Sequence, residues 1–177
     1  MKMFKPLADY KNKTFIQNIV LKLHSACDRM IIVTGYRANE VEENVNELNL
    51  HSKIEFIFNP DYEKGMFTSL QKGISEVKTC DWILYHFVDQ PGLQENFYPD
   101  LIKQTDSDYN WIQPVNKEQK GHPILLSKEL IPLVLNAPIN SNLRDISQNP
   151  KVKKKYWDCN YEEIFQDIDT DQDYRNL

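Results

Sequence analysis

The chain has 177 residues, 41% of them hydrophobic, and a formal net charge of −5. That length fits one domain with a real core, spanning 1–177. No run approaches the length of a membrane span, and the acidic balance argues against a nucleic-acid binder, which usually shows a basic face.

The first residues, Met1-Lys2-Met3-Phe4-Lys5-Pro6-Leu7, lack the apolar stretch of a signal peptide, so the expected compartment is the cytoplasm. Thr14 to Ala26 places Phe15, Ile16, Ile19, Val20 and Leu23 on one helical face. Arg29 to Thr34 reads as a short apolar strand ended by Gly35, and Val41, Val45 and Leu48 mark the next amphipathic helix. Glu55 to Phe58 is a second strand, closed by Asn59-Pro60. A helix from Met66 to Val77 starts directly after Gly65, and Trp82 to Val88 is a third strand.

Phe97, Leu101 and Ile102 suggest a helix. Asn110–Gln113 and Pro123–Leu126 are extended, with only a charged loop between them, which implies an antiparallel excursion on one edge. Lys128 to Leu135 is helical, Asn142 to Ser147 is a short helix, Lys154 to Trp157 a late strand, and Asp167 to Thr170 precedes a last short helix. Strands alternating with helices predict an α/β fold, a three-layer sandwich around a mostly parallel sheet. The early apolar strands are expected to be buried on both faces. Cys27, Cys80 and Cys159 are dispersed, as are His24, His51, His86 and His122, so neither disulfides nor a zinc site is expected.

Five segments carry candidate chemistry. Val88-Asp89-Gln90-Pro91 leaves a carboxylate at a strand tip, where ligands of open parallel sheets bind. Asp89 there suits a divalent cation held against phosphates, although a solvated turn explains the tetrapeptide equally. Asn59 through Ser69 joins a strand to a helix opened by Gly65, whose first free N–H groups can bond a nucleobase or an anion. It also reads as an ordinary connection. Lys120-Gly121-His122-Pro123 is a tight turn with His122 facing a cleft or the core. Asn142-Leu143-Arg144-Asp145 offers Arg144 as a phosphate clamp or a surface residue. In Asp167-Ile168-Asp169-Thr170 the two carboxylates share one side of an extended segment, and capping by Thr170 or Asp171 explains the motif by itself.

Together and in this order, Asn59…Gly65-Met66-Phe67-Thr68-Ser69, Asp89-Gln90-Pro91, Gly121-His122-Pro123, Arg144 and Asp167 through Tyr174 resemble the MobA-like NTP transferases, nearest the molybdenum cofactor cytidylyltransferase branch. The resemblance implies a Rossmann-like nucleotidyltransferase that joins the nucleotidyl group of an NTP to a phosphorylated acceptor and releases pyrophosphate. It implies Mg2+ on Asp89 and Asp169, with Lys5 and Asp89 catalytic. It implies nucleotide binding by Asn59, Gly65, Met66 and Ser69, and substrate contacts from Gln90, His122 and Arg144.

One departure stands out. Members of that family begin with an apolar strand and a glycine-rich loop, whereas the first glycine here is Gly35. The chain therefore reads as a member truncated at its N-terminus, whose phosphate grip is weakened. An alternative is a catalytically degenerate module that binds a nucleotide, a pterin or a protein. A sugar transferase of similar fold is disfavoured, because Asp89 lacks an Asp-x-Asp setting. Without the first strand, Arg29–Thr34 and Trp82–Val88 are expected to pair directly, to receive the N-terminus between them, or to be covered by another chain. The last outcome favours a homodimer.

Overall fold

The chain opens with a small hairpin. β1 (Asp9–Tyr10) pairs antiparallel with β2 (Lys13–Thr14), and Lys11 and Asn12 make the turn in the left-handed conformation, at φ 49° and 67°. The computed structural model describes residues 4–175. Helix α1 (Phe15–Ala26) follows at once. Thr14 Oγ1 accepts from Gln17 N, while the Gln17 side chain accepts from Thr14 N, a capping box that fixes the helix start. Strand β3 (Met30–Thr34), helix α2 (Ala38–Asn46) and strand β4 (Ile54–Phe58) form a strand–helix–strand unit, with β3 and β4 parallel in the register Ile32↔Phe56.

Helix α3 (Met66–Ser75) leads to β5 (Trp82–Tyr85), and α4 (Phe97–Ile102) to the second sheet. There β6 (Trp111–Asn116), β7 (Gln119–Lys120) and β8 (Ile124–Ser127) form the expected antiparallel excursion, turned by Lys117 and Glu118 at positive φ. Helices α5 (Ile131–Leu135) and α6 (Leu143–Ser147), strand β9 (Lys154–Asp158) and helix α7 (Asp171–Arg175) complete the chain. β5 and β6 both pair antiparallel with β8, and β9 pairs parallel with β6, so β5, β6 and β9 run in one sense. The result is the α/β architecture expected, with mostly co-directional strands and helices against them. The three cysteines are free.

The sheet itself is divided. Among the described residues β3 pairs only with β4, and β5 only with β8. Neither direct pairing of β3 with β5 nor cover by the N-terminal residues from Phe4 onward is present, so those two expectations are corrected. The N-terminal segment instead forms its own hairpin beside α1. Helices bridge the division from both faces. Leu23 of α1 packs with the cluster flanked by Trp82 and Leu84 and with the cluster flanked by Ile32 and Phe56. On the other face α3 packs Phe67, Leu70 and Ile74 beside Ile83 and Tyr85, while its Gly73 sits against Val33. Burial of β3 and β5 on both faces is also corrected. Ile31 to Val33 and Trp82 to Tyr85 are only half-buried, because each strand keeps an open edge.

β5 stops three residues short of the expected Val88. Its partner β8 begins at Ile124, opposite Tyr85, and the preceding Pro123 has no N–H to extend the ladder. The His86 ring then bonds the Phe87 carbonyl, Nδ1 to O at 2.6 Å, and the chain turns at Val88-Asp89. Lys128–Leu130 is a tight 3-10 turn before α5 rather than part of one helix.

Candidate functional site

Three side chains from distant parts of the chain meet beyond β5. Lys5 lies in the opening 3-10 turn (Lys5–Leu7), Asp89 in the turn after β5, and Asp169 just before α7. Lys5 Nζ is 2.5 Å from Asp169 Oδ1 and 3.6 Å from Asp89 Oδ2. The Asp89 side chain is largely buried and that of Asp169 is open to solvent. Burial works to lower the Lys5 pKa, but the Asp169 hydrogen bond and the Asp89 charge outweigh it, and the net shift is upward. Asp89 is pushed above the usual carboxylate range by burial, opposed by Lys5 and reinforced by Asp167 and Asp169.

The C-terminal strap that carries Asp169 is pinned in place. Ile168 N donates to the Asp89 carbonyl at 3.1 Å, and the Ile168 side chain is fully buried with Ala8 and Phe15. Gln90 Nε2 donates to Asp167 Oδ1 at 2.8 Å and to the Ile164 carbonyl at 3.3 Å. Asp173 Oδ2 accepts from the backbone N–H of both Asp169 and Thr170, while Thr170 Oγ1 accepts from Asp173 N, so the capping reading of the motif also holds.

Among the described residues four buried side-chain polar atoms lack a partner: Thr34 Oγ1, Asp89 Oδ1, Gln90 Oε1 and His122 Nδ1. Asp89 and Gln90 follow β5, Thr34 ends β3, and His122 precedes β8. Buried polar atoms are normally paired, so the unpaired Asp89 Oδ1 beyond the β5 tip marks a place where a ligand can add bonds. The donors at Asp89 and Asp169 are carboxylate oxygens, the chemistry a hard divalent cation takes. Among the described residues no three His, Cys, Asp or Glu side chains form a ready cage. Two carboxylates suit Mg2+, which keeps water and phosphate oxygens for its remaining positions.

His122 stands edge-on to Phe87 with ring centroids 4.7 Å apart. Burial lowers its pKa, partly offset by the Asp89 charge, which places it in the same electrostatic neighbourhood. Its backbone N–H bonds the Ile164 carbonyl at 3.1 Å, and Gly121 lets the turn approach Ile164, where a Cβ would come within 2.5 Å of Cγ1. Gln90 is 1% exposed and its amide hydrogens bond protein atoms, so it is built into the wall rather than offered to solvent.

The nucleobase segment is a second, separate construction. Asn59 is buried, its Nδ2 donating to Thr68 Oγ1 and Ser69 Oγ and its Oδ1 accepting from Asp61 N. Asn59 and Ser69 thus hold the loop in shape. Gly65, at φ +115° with nothing within 4 Å of a Cβ position, and the exposed Met66 form its open surface. Arg144 is exposed on α6, whose Ile146 packs with α3 and α5, and no contact among the described residues joins it to Lys5, Asp89 or Asp169. Sequence reasoning passed over Thr34 and the clamping role of Gln90, and it singled out Asp167 only as the neighbour of Asp169 on one side of an extended segment. For Thr34 the one available signal was a hydroxyl at the end of an apolar strand.

The comparisons with known proteins agree with the fold. The family model described as the MobA-like NTP transferase domain matches residues 1–155. The molybdenum cofactor cytidylyltransferase of Escherichia coli (strain K12) is 29% identical over 176 residues, 98% of this chain and 86% of that protein. The nicotine blue oxidoreductase of Paenarthrobacter nicotinovorans is 26% identical over 98% of this chain and 87% of its own length. Among solved structures, a nucleotidyl transferase from Methanothermobacter thermautotroptrophicus superposes with a TM-score of 0.81 at 21% identity, over 98% of this chain and 83% of that one. Rv0371C of Mycobacterium tuberculosis H37Rv, in complex with manganese, superposes with a TM-score of 0.76 at 17% identity, over 98% and 90%. Among the described residues no helix is long and apolar enough to cross a membrane.

Proposed function

The chain belongs to the MobA-like NTP transferase domain family, and from that premise we propose that it transfers CMP from CTP to a phosphorylated acceptor such as molybdopterin, releasing pyrophosphate. The family here is that of molybdenum cofactor cytidylyl- and guanylyltransferases. The choice of CTP and a pterin follows the cytidylyltransferase relative. A second relative bearing an oxidoreductase name marks how far chemistry diverges on this scaffold.

The observation that carries the reading is the meeting of Lys5, Asp89 and Asp169, with Asp89 Oδ1 buried and unpartnered. Asp89 and Asp169 would hold Mg2+, and the manganese complex of a protein of the same fold is consistent with a divalent ion. An ion held there would supply positive charge to offset the repulsion between the α-phosphate and the attacking phosphate. Lys5 turns its ammonium from the carboxylates to a phosphate oxygen. An oxygen of the acceptor phosphate forms a bond to the α-phosphorus as the bond to the pyrophosphate oxygen breaks. The acceptor is already ionised, so no side-chain nucleophile or strong base is needed. Gly65 and Met66 face the base on a loop shaped by Asn59 and Ser69. His122 and Arg144 serve the acceptor side. The reading is of a cytoplasmic enzyme acting on small molecules rather than nucleic acid.

The second reading is a member that binds without turnover. It is favoured by a Lys5 already engaged by two carboxylates. Calorimetry with CTP, GTP and ATP, each with Mg2+, is followed by pyrophosphate release in the presence of molybdopterin. CTP binding with release supports transfer. Binding without release supports the second reading. Three flat titrations overturn both nucleotide readings.

A further inference from the structure

We infer that Gln90 is a positioning residue for the carboxylate pair, its buried amide setting the distance between Asp89 and the strap that carries Asp169. The inference rests on the cation site proposed above and adds to it a residue that never touches the ion.

Gln90 is the neighbour of Asp89, and Pro91 after it biases its backbone toward an extended conformation. Its side chain is 1% exposed, which is unusual for a Gln. Both partners within reach, Asp167 Oδ1 at 2.8 Å and the Ile164 carbonyl at 3.3 Å, are acceptors, so the –NH2 end must face them. A Glu here would meet two acceptors with a third, and an Asn is a methylene too short. The Ile164 carbonyl also accepts the backbone N–H of His122 at 3.1 Å. One neutral amide therefore links the β5 tip, the Gly121-His122 turn and the C-terminal strap.

The Ile168 N–H bond to the Asp89 carbonyl and the packing of its side chain with Ala8 and Phe15 anchor the strap at Ile168, on the C-terminal side of Asp167. The Gln90 bond to Asp167 is the second point, on the residue before Ile168, and two points define an orientation. Asp89, Asp167 and Asp169 also repel one another at close quarters. A neutral donor on Asp167 draws that carboxylate aside without using the charge of Asp89, which stays available to a cation. Partners of ligands that fix their orientation typically change metal affinity by about 10- to 100-fold when removed.

The test is Mn2+ binding to the nucleotide-free protein, read as loss of the free-ion signal in electron paramagnetic resonance, alongside a urea unfolding curve. Gln90→Met keeps the volume and removes both bonds. It is expected to weaken Mn2+ binding about tenfold. Asp167 is exposed, so Asp167→Ala folds even where a core change does not, and it is expected to weaken binding to the same degree. Asp167→Asn keeps an acceptor for Gln90 and is expected to bind Mn2+ within about threefold of the parent, in line with a screened surface charge. The double variant Gln90→Met with Asp167→Ala is expected to be no weaker than either alone. Wild-type affinity in Gln90→Met or Asp167→Ala, or equal losses in Asp167→Ala and Asp167→Asn, overturns the inference while leaving the cation site standing. Parent protein that binds no Mn2+ overturns the site and the inference together.

Discussion

Lys5 and Asp169 are 164 positions apart in the chain, yet the Lys5 ammonium donates to Asp169 Oδ1 at 2.5 Å. The ammonium stands between two carboxylates, the space a divalent ion would take. Its attraction to them must be given up when that ion arrives.

Lys5→Met is therefore expected to bind Mn2+ alone roughly two- to fivefold more tightly, the range of a partly exposed ion pair. The same variant is expected to lose affinity for the Mg2+–nucleotide complex, since the phosphate loses its cation. Calorimetry with and without CTP reads both. Equal or weaker binding of the bare ion in Lys5→Met would show that the lysine is not a competitor.

Asp89→Asn is expected to abolish metal-dependent nucleotide binding and to stabilise the fold. Burial raises the Asp89 pKa above its unfolded value, opposed by Lys5, so the unfolded chain ionises more readily. That penalty is full above the folded pKa and vanishes below the unfolded one. Urea midpoints at pH 7 are expected to favour the variant, with the gap closing in acid.

His86 sets an acid limit. It is stacked on Tyr98 with Nε2 2.9 Å from the Tyr98 hydroxyl, and burial holds its pKa at about 4. The unfolded imidazole binds a proton near pH 6.5. Its stabilising contribution is present above that pH and drains away as pH falls toward 4, at up to about 1.4 kcal/mol per unit. His86→Phe is expected to be less stable at pH 7 and to flatten this slope in denaturation curves taken at each pH.

Two glycines separate crowding from backbone strain. Gly121→Ala drives a Cβ into Ile164, with three of its atoms at 2.5–2.7 Å, and is expected to cost about 1–3 kcal/mol. Gly65→Ala meets no atom within 4 Å, but φ +115° is strained for any L side chain, so about 1 kcal/mol is expected. Thermal melts rank the two, and Gly121→Ala is also expected to disturb His122 through the shared Ile164 carbonyl.

How much of this was legible varies by residue. The start of α3 after Gly65 and of α1 at Thr14 were readable, because caps are local chemistry. The β1–β2 hairpin was not. Its strands are two residues long, and Lys11 is an uncommon residue for a left-handed turn. The end of β5 depends on where β8 begins, a tertiary fact invisible around Val88. Lys5, Asp89 and Asp169 were linked by the order of motifs, since nothing local joins residues so far apart. A Gln beside an Asp reads as a solvated turn residue, and only the folded strap reveals that Gln90 is enclosed.

The divided sheet has a consequence for how the protein behaves in company. Among the described residues Met30–Thr34 and Trp82–Tyr85 each have one edge with no strand paired to it, flanked by aliphatic and aromatic groups. Such edges are adhesive toward any extended peptide and toward each other. Crowded solutions of this chain will favour clumping through backbone stitching, and a single lysine at Ile32 or Leu84 is the remedy to try first.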